Sequence, residues 1–267
     1  MPTSRSSSKR GAEIIAHSLP KNVATIRTSL NRLLGFPIAA VLTHVPALEQ
    51  FVGASVDRRR LHIALTRLRR RGLKIEIVYD IGARLGWWTE TVRPSLPGAR
   101  FFLFEANDMH AKALQETGER HFAELLSSEE KLVEFYATGA PGDSYFREAT
   151  GHYAGVTPTT RRATTLDRVI ETHDLPYPDL IKVDVQGAEL DVLRGGRKAL
   201  DNARLVLLEC PIVEYNEGAP TIDEYFRFMD ERSFTPVDFL GRTWLNGRVI
   251  QIDVLFADVR VDHGVTG

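Results

Sequence analysis

Four carboxylates stand where short apolar runs give way to turns. The segment Val78-Tyr79-Asp80-Ile81-Gly82-Ala83-Arg84-Leu85-Gly86 carries an apolar strand into an acid and then at once through glycines four apart. Glycine lets a backbone approach a ligand closely and lets the next helix pack on the strand. Phe104-Glu105-Ala106 repeats the pattern 25 residues past Asp80, the place from which a strand-end acid accepts both hydroxyls of a ribose. Asp184, in Leu180–Val185, and Glu209, after Leu207-Leu208, complete the set. Stability alone does not call for such a concentration of like charge, and a bound cation is one reason to tolerate it. A carboxylate beside the first turn repels a pyrophosphate and suits an amine or a sulfonium. The turn also lacks the Gly-x-Gly-x-x-Gly of dinucleotide sites.

The elements that must position these acids read as an alternation of short apolar runs and helical stretches, which specifies a parallel sheet covered by helices. Strands are expected at Ile75–Tyr79, Arg100–Phe104, His121–Leu126, Leu180–Val185, Arg204–Glu209, Thr235–Leu240 and Val249–Ala257, with Val133–Tyr136 able to pair near the third. Helices are expected at Trp88–Arg93, Asp108–Thr117, Thr165–Thr172, Ala188–Leu200 and Ile222–Arg232, and Asn246-Gly247 marks the turn before the last strand. The chain thus closes on an antiparallel pair. Gly139–Pro158 has no period and is long for a connector, as binding loops often are. Residues 1–72 read as a helical N-terminal extension with a frayed tail of about ten residues, and 73–267 as the sheet domain. Within the extension, seven arginines between Asp57 and Gly72 flank Leu61, Ala64, Leu65 and Leu68, one apolar helical face.

Composition narrows the classes. The 267 residues are 43% hydrophobic and 26% charged, as in soluble globular proteins. With 34 basic against 35 acidic residues, no overall field draws the molecule to nucleic acid or anionic lipid. Leu34–Val45 is too short and interrupted to span a bilayer. The single cysteine, Cys210, lies in an apolar run and reads as a buried thiol, which fits a reducing cytoplasm. No His/Cys set has zinc spacing, so no metal is expected, although Asp184 and Glu209 could share a divalent cation.

From about Ile77 to Val259 the chain resembles the S-adenosylmethionine-dependent methyltransferases of the FkbM type. The resemblance rests on Asp80 to Gly86 with Thr89, Phe104-Glu105, Val133 to Tyr136, Thr165-Leu166-Asp167, Ile181 to Glu189 and Gln251 to Asp253 in this order. Two positions depart from it: Arg84 replaces a small residue or Asn, and Ala106 replaces a frequent Pro. The resemblance implies a Rossmann-like, doubly wound, mostly parallel seven-stranded α/β sheet of the class I methyltransferases with an antiparallel last strand. It also implies S-adenosyl-L-methionine as cofactor. Asp80, Gly82, Ala83, Arg84 and Gly86, with Thr89, would cradle the methionine part; Glu105, followed by Ala106, would hold the ribose; Leu126 and Ser127 would flank the adenine; and Asp184 would sit near the ammonium and the reacting methyl.

A hydroxyl acceptor benefits from a base, for which Asp184, Glu209 and His152, with Tyr153 beside it, are the candidates. The expected reaction is O-methylation of a hydroxyl on a small molecule or glycan. Two other readings stay open: a nucleotide- or nicotinamide-dependent oxidoreductase on a similar sheet, and a non-catalytic module that binds anions through the Arg58–Arg71 helix. The acceptor, the regiochemistry and the oligomeric state have no signature in the sequence.

Overall fold

Side-chain alternation along the strands gives the sheet two apolar faces. In the computed structural model, which describes residues 59–138, 142–149, 153–245 and 247–260, strand β1 (Ile77–Ile81) sends Ile77, Tyr79 and Ile81 into one core and Val78 into the other. Strand β2 (Arg100–Phe104) divides Phe102 and Phe104 from Phe101 and Leu103 in the same way, as a period of two requires. A parallel strand covered on both faces reads as one continuous apolar run.

Strands β3 (Arg120–Phe122), β6 (Leu180–Val183) and β7 (Leu205–Pro211) continue the sheet in parallel, and β9 (Arg248–Asp258) runs antiparallel between β7 and β8 (Phe234–Leu245). The order is β3-β2-β1-β6-β7-β9-β8. This is the expected doubly wound, mostly parallel seven-stranded sheet, its last strand antiparallel. One face carries α1 (residues 59–70), α2 (Trp87–Val92) and α3 (Ala111–Glu116). The other carries α4 (Leu166–His173), α5 (Glu189–Gly195), α6 (Arg197–Asn202) and α7 (Ile222–Asp230). Cys210 on β7 is fully buried.

Several boundaries differ from expectation for local reasons. Strand β1 starts two residues late and takes in Asp80, so that acid lies within the strand rather than at its tip. The third strand stops at Phe122, which leaves Leu125 and Leu126 to turn inward. The helix expected over 188–200 is two helices that meet at Gly196, whose φ of −115° and ψ of 42° leave the helical region, and Gly195 beside it packs so closely on the chain that a Cβ there would lie 2.1 Å from the Ser127 carbonyl oxygen. Directly after the long loop comes a strand not among those expected, β5 (Thr159–Ala163), and it takes β4 (Lys131–Phe135) into a separate antiparallel ribbon, so that run does not pair with the third strand. The expectations for residues 1–58, for His152 and for Asn246 lie outside the described residues.

Helix α1 buries Leu61, Ala64 and Leu65 in the core on its face of the sheet. Two of its arginines are anchored as well, Arg60 donating to the Leu240 carbonyl (3.3 Å) and Arg69 to the Ser95 carbonyl (2.7 Å).

Candidate active site

The carboxyl ends of β1, β2 and β6 open into a cavity of about 250 Å³. Its floor is the turn after β1. Gly82 has φ +74°, and a Cβ there would come within 1.8 Å of the Asp184 carbonyl oxygen, so only glycine lets the turn lie this close to the end of β6. The turn's amides are committed. Gly82 and Ala83 donate to the Phe104 carbonyl (2.9 and 3.1 Å), Arg84 to Glu105 Oε2 (2.7 Å) and Gly86 to the Ala83 carbonyl (2.7 Å). A turn whose N–H groups serve the neighbouring strand offers no nest to a pyrophosphate, which counts against a dinucleotide. Arg84 itself has φ +49°. That left-handed conformation favours Asn and glycine, which accounts for the small residue or Asn usual in the related motif.

Of the residues singled out in the sequence, Gly82, Arg84, Glu105, Ala106, Leu126, Asp184 and Glu209 line the cavity. Asp80, Ala83, Gly86, Thr89 and Ser127 stand behind its wall instead. For Asp80 the reason is register: it sits opposite Lys182 on the adjoining strand. Its buried carboxylate lies 3.1 Å from Lys182 Nζ and accepts from Thr89 Oγ1 at 2.8 Å. The cation facing Asp80 is therefore the protein's own. Lys182 also lies 3.4 Å from Asp184 and donates to the carbonyls of Gly82 (2.9 Å) and Ile81 (3.3 Å), bracing the glycine turn from below. Burial pulls its pKa down, but the two carboxylates outweigh that and hold it above the ordinary lysine range.

Glu105 is fixed by two backbone donors, Asn107 N–H on Oε1 (2.8 Å) and Arg84 N–H on Oε2 (2.7 Å). Burial raises its pKa despite these bonds. Each oxygen keeps a lone pair beyond the one so used, which is what a diol needs.

At the other end of the cavity Asp184 and Glu209 form a pair bridged by one amide. The Gln186 amide donates to Asp184 Oδ1 (3.0 Å) and to Glu209 Oε2. Gln251 donates to the other Glu209 oxygen and accepts from the Tyr215 hydroxyl. Burial, then the Asp184 charge, push the Glu209 pKa well above the usual range. Burial acts on Asp184 in the same sense, but Lys182 and the bonds from Gln186 and Glu209 reverse it and lower its pKa. The two carboxyls thus shift in opposite senses, and Asp184, whose side chain is 38% exposed, is the one whose charged form the surroundings favour.

The turn bearing Gln186 (φ +56°) is itself clamped. Glu189 accepts from the N–H groups of Val185 (2.9 Å) and Gly187 (3.0 Å) and from the Tyr225 hydroxyl, while Ser144 Oγ (2.8 Å) and Asn216 Nδ2 (2.9 Å) donate to the Gln186 carbonyl. Lys182, Gln186 and Glu189 lie within the quoted motif, yet only the structure shows what they hold. The one sequence signal for Lys182 was a lysine inside an apolar strand. Ser144, with Asp143 and Tyr145, forms a cavity wall from within the loop expected over Gly139–Pro158, although no pattern distinguished these three residues inside it.

Residues 80–236, more than half of the chain, match the family described as "Methyltransferase FkbM domain". The chain belongs to the FkbM methyltransferase family. Its cofactor is S-adenosylmethionine. Among curated proteins, the chain is 27% identical over 140 residues to the hexuronic acid methyltransferase AglP of Haloferax volcanii, and 28% identical over 160 residues to the 2-O-methyltransferase NoeI of Sinorhizobium fredii. These matches cover 50% and 53% of this chain and 55% and 66% of the two relatives, less than two thirds of either. Among solved structures, the O-methyltransferase TomG of Streptomyces achromogenes overlays at a TM-score of 0.43 with 14% identity, over 90% of this chain and 99% of that one. The FkbM-type cavity fits the cofactor by the chemistry of its lining: it presents carboxylates to a cationic nucleoside. Among the described residues no group of three or more His, Cys, Asp or Glu is placed to hold a metal, and no helix is long and apolar enough to cross a membrane.

Proposed function

We propose that the protein methylates a hydroxyl group of a sugar, glycan or small-molecule metabolite. The observation that carries this reading is the Asp184–Glu209 pair at the cavity's inner end. An anionic acceptor such as a carboxylate would meet the Asp184 charge at short range and be repelled, whereas a neutral hydroxyl finds an oxygen able to take its proton. The names of the two relatives, one a hexuronic acid methyltransferase and one a 2-O-methyltransferase, favour a sugar.

In that reading Glu105 holds the ribose, and the turn from Gly82 to Arg84 supports the amino-acid part. S-adenosylmethionine, when bound, supplies a methyl group on a cationic sulfur. An acceptor hydroxyl held in the cavity would take that methyl group as the sulfur leaves as a neutral thioether, and Asp184 would accept the hydroxyl's proton. A carboxylate with a lowered pKa is a weak base, so the proton moves late, as the new bond develops. Gln186 and Glu209 fix the orientation of that carboxylate, and alignment supplies the larger share of the rate.

Incubation with labelled S-adenosylmethionine and matched pairs of neutral glycosides and glycuronides tests the proposal. The expected product is a base-stable methyl ether, reduced at least roughly 100-fold in Asp184→Asn. A base-labile methyl ester formed on the glycuronide would overturn it.

A further inference from the structure

His110 ends the single helical turn Asp108–His110 that follows β2. Three bonds from Asn107 make that turn rigid: its Oδ1 accepts from the Met109 N–H (3.0 Å), its Nδ2 donates to Asp143 (2.6 Å) and its own N–H donates to Glu105 (2.8 Å). The imidazole is 6% exposed and lines the cavity. Its Nε2 is buried and has no hydrogen-bond partner among the described residues. Glu105 lines the same cavity, so the imidazole and the carboxylate border one volume.

A buried polar atom without a partner calls for an explanation, and here it belongs to a side chain that lines the cavity where a nucleoside would lie. In either tautomer one imidazole nitrogen donates and the other accepts, and an alcohol can answer both. Glu105 in its ionised form only accepts. The two residues are therefore complementary toward a pair of vicinal hydroxyls.

We propose that His110 is a second ribose-binding residue, which grips the diol of the cofactor together with Glu105. This rests on the cavity being the cofactor's site, and it is independent of the nature of the methyl acceptor.

The test is calorimetric titration with S-adenosylhomocysteine and with its 2′-deoxy and 3′-deoxy analogues. It uses the full-length protein, His110→Phe, which keeps a ring of similar size, and His110→Asn, which keeps a polar group. The expected result is a loss of about tenfold in affinity for S-adenosylhomocysteine in His110→Phe, partly restored in His110→Asn. One of the two deoxy analogues should bind the unaltered protein about tenfold more weakly and lose nothing further in His110→Phe. Unchanged affinity in His110→Phe, or an equal loss for all three ligands, would overturn the assignment, since a packing role weakens every ligand alike. If the unaltered protein fails to bind S-adenosylhomocysteine, the cavity reading falls, and that failure shows in the first titration, before any variant is compared.

Discussion

At the scale of single residues, two strand-associated acids that look alike in the sequence have separate tasks. Asp80 and Glu105 each follow an apolar run, but Asp80 is buried against Lys182 while Glu105 faces the cavity. Removing one member of a buried ion pair leaves the other uncompensated, which costs several kcal/mol. Asp80→Asn is therefore expected to lower unfolding stability by roughly 3 kcal/mol in urea titration. Glu105→Gln should leave the urea midpoint nearly unchanged and weaken S-adenosylhomocysteine roughly 10- to 100-fold, the range for hydrogen bonds to a charged group. The reverse pattern would mean that the two acids have been assigned to the wrong tasks. Pattern alone could not separate them, because which face of a strand an acid occupies depends on register, and register depends on partners distant in sequence.

At the scale of elements, the sheet was legible because its strands are continuous apolar runs and its helices carry clear stops. What escaped notice was decided by tertiary contact. Strand β5, Thr159-Thr160-Arg161-Arg162-Ala163, has no apolar alternation and exists because β4 lies beside it. The close approach beside the break between α5 and α6 is hidden in the same way, since a glycine pair within a helical pattern gives no hint that a backbone carbonyl approaches it. That contact predicts that Gly195→Ala, an ordinary helix-favouring change on propensity alone, lowers stability by about 3 kcal/mol through overpacking. Thermal unfolding of the variant decides the matter: a gain in stability would show that the chain at Ser127 gives way easily. Of the residues expected from the sequence, Glu105, Asp184, Glu209 and Gly82 line the cavity and Asp80 does not, whereas Lys182, Gln186 and His110 gain their places only when β1, β2 and β6 are side by side.

At the scale of the whole molecule, buried carboxyls govern how stability depends on pH. Burial raises the Glu189 pKa to about 7 from 4.5, so the folded protein holds a proton there that the unfolded chain releases. Stability from this group is complete below about pH 4.5 and is lost as pH rises through about 7. Glu209, also raised, acts in the same direction. Asp184, lowered, acts in the opposite one: its contribution is present above its ordinary value and is lost as pH falls through the lower folded one. Urea midpoints should therefore fall between pH 5 and pH 8, and the slope should flatten in Glu189→Gln. An equally steep slope in that variant would assign the effect to other groups.

The buried thiol of Cys210 carries a practical consequence for all of these measurements. It sits one residue before the end of β7, fully shielded, with burial holding its pKa well above the ordinary thiol value. Because the chain contains one cysteine, an alkylating reagent has a single target, and that target opens only when β7 parts from its neighbours. The labelling rate is thus an internal clock for opening of the strand that carries Glu209. Bound nucleoside should slow that clock in proportion to occupancy, which gives a measure of cofactor affinity that needs neither a methyl acceptor nor turnover.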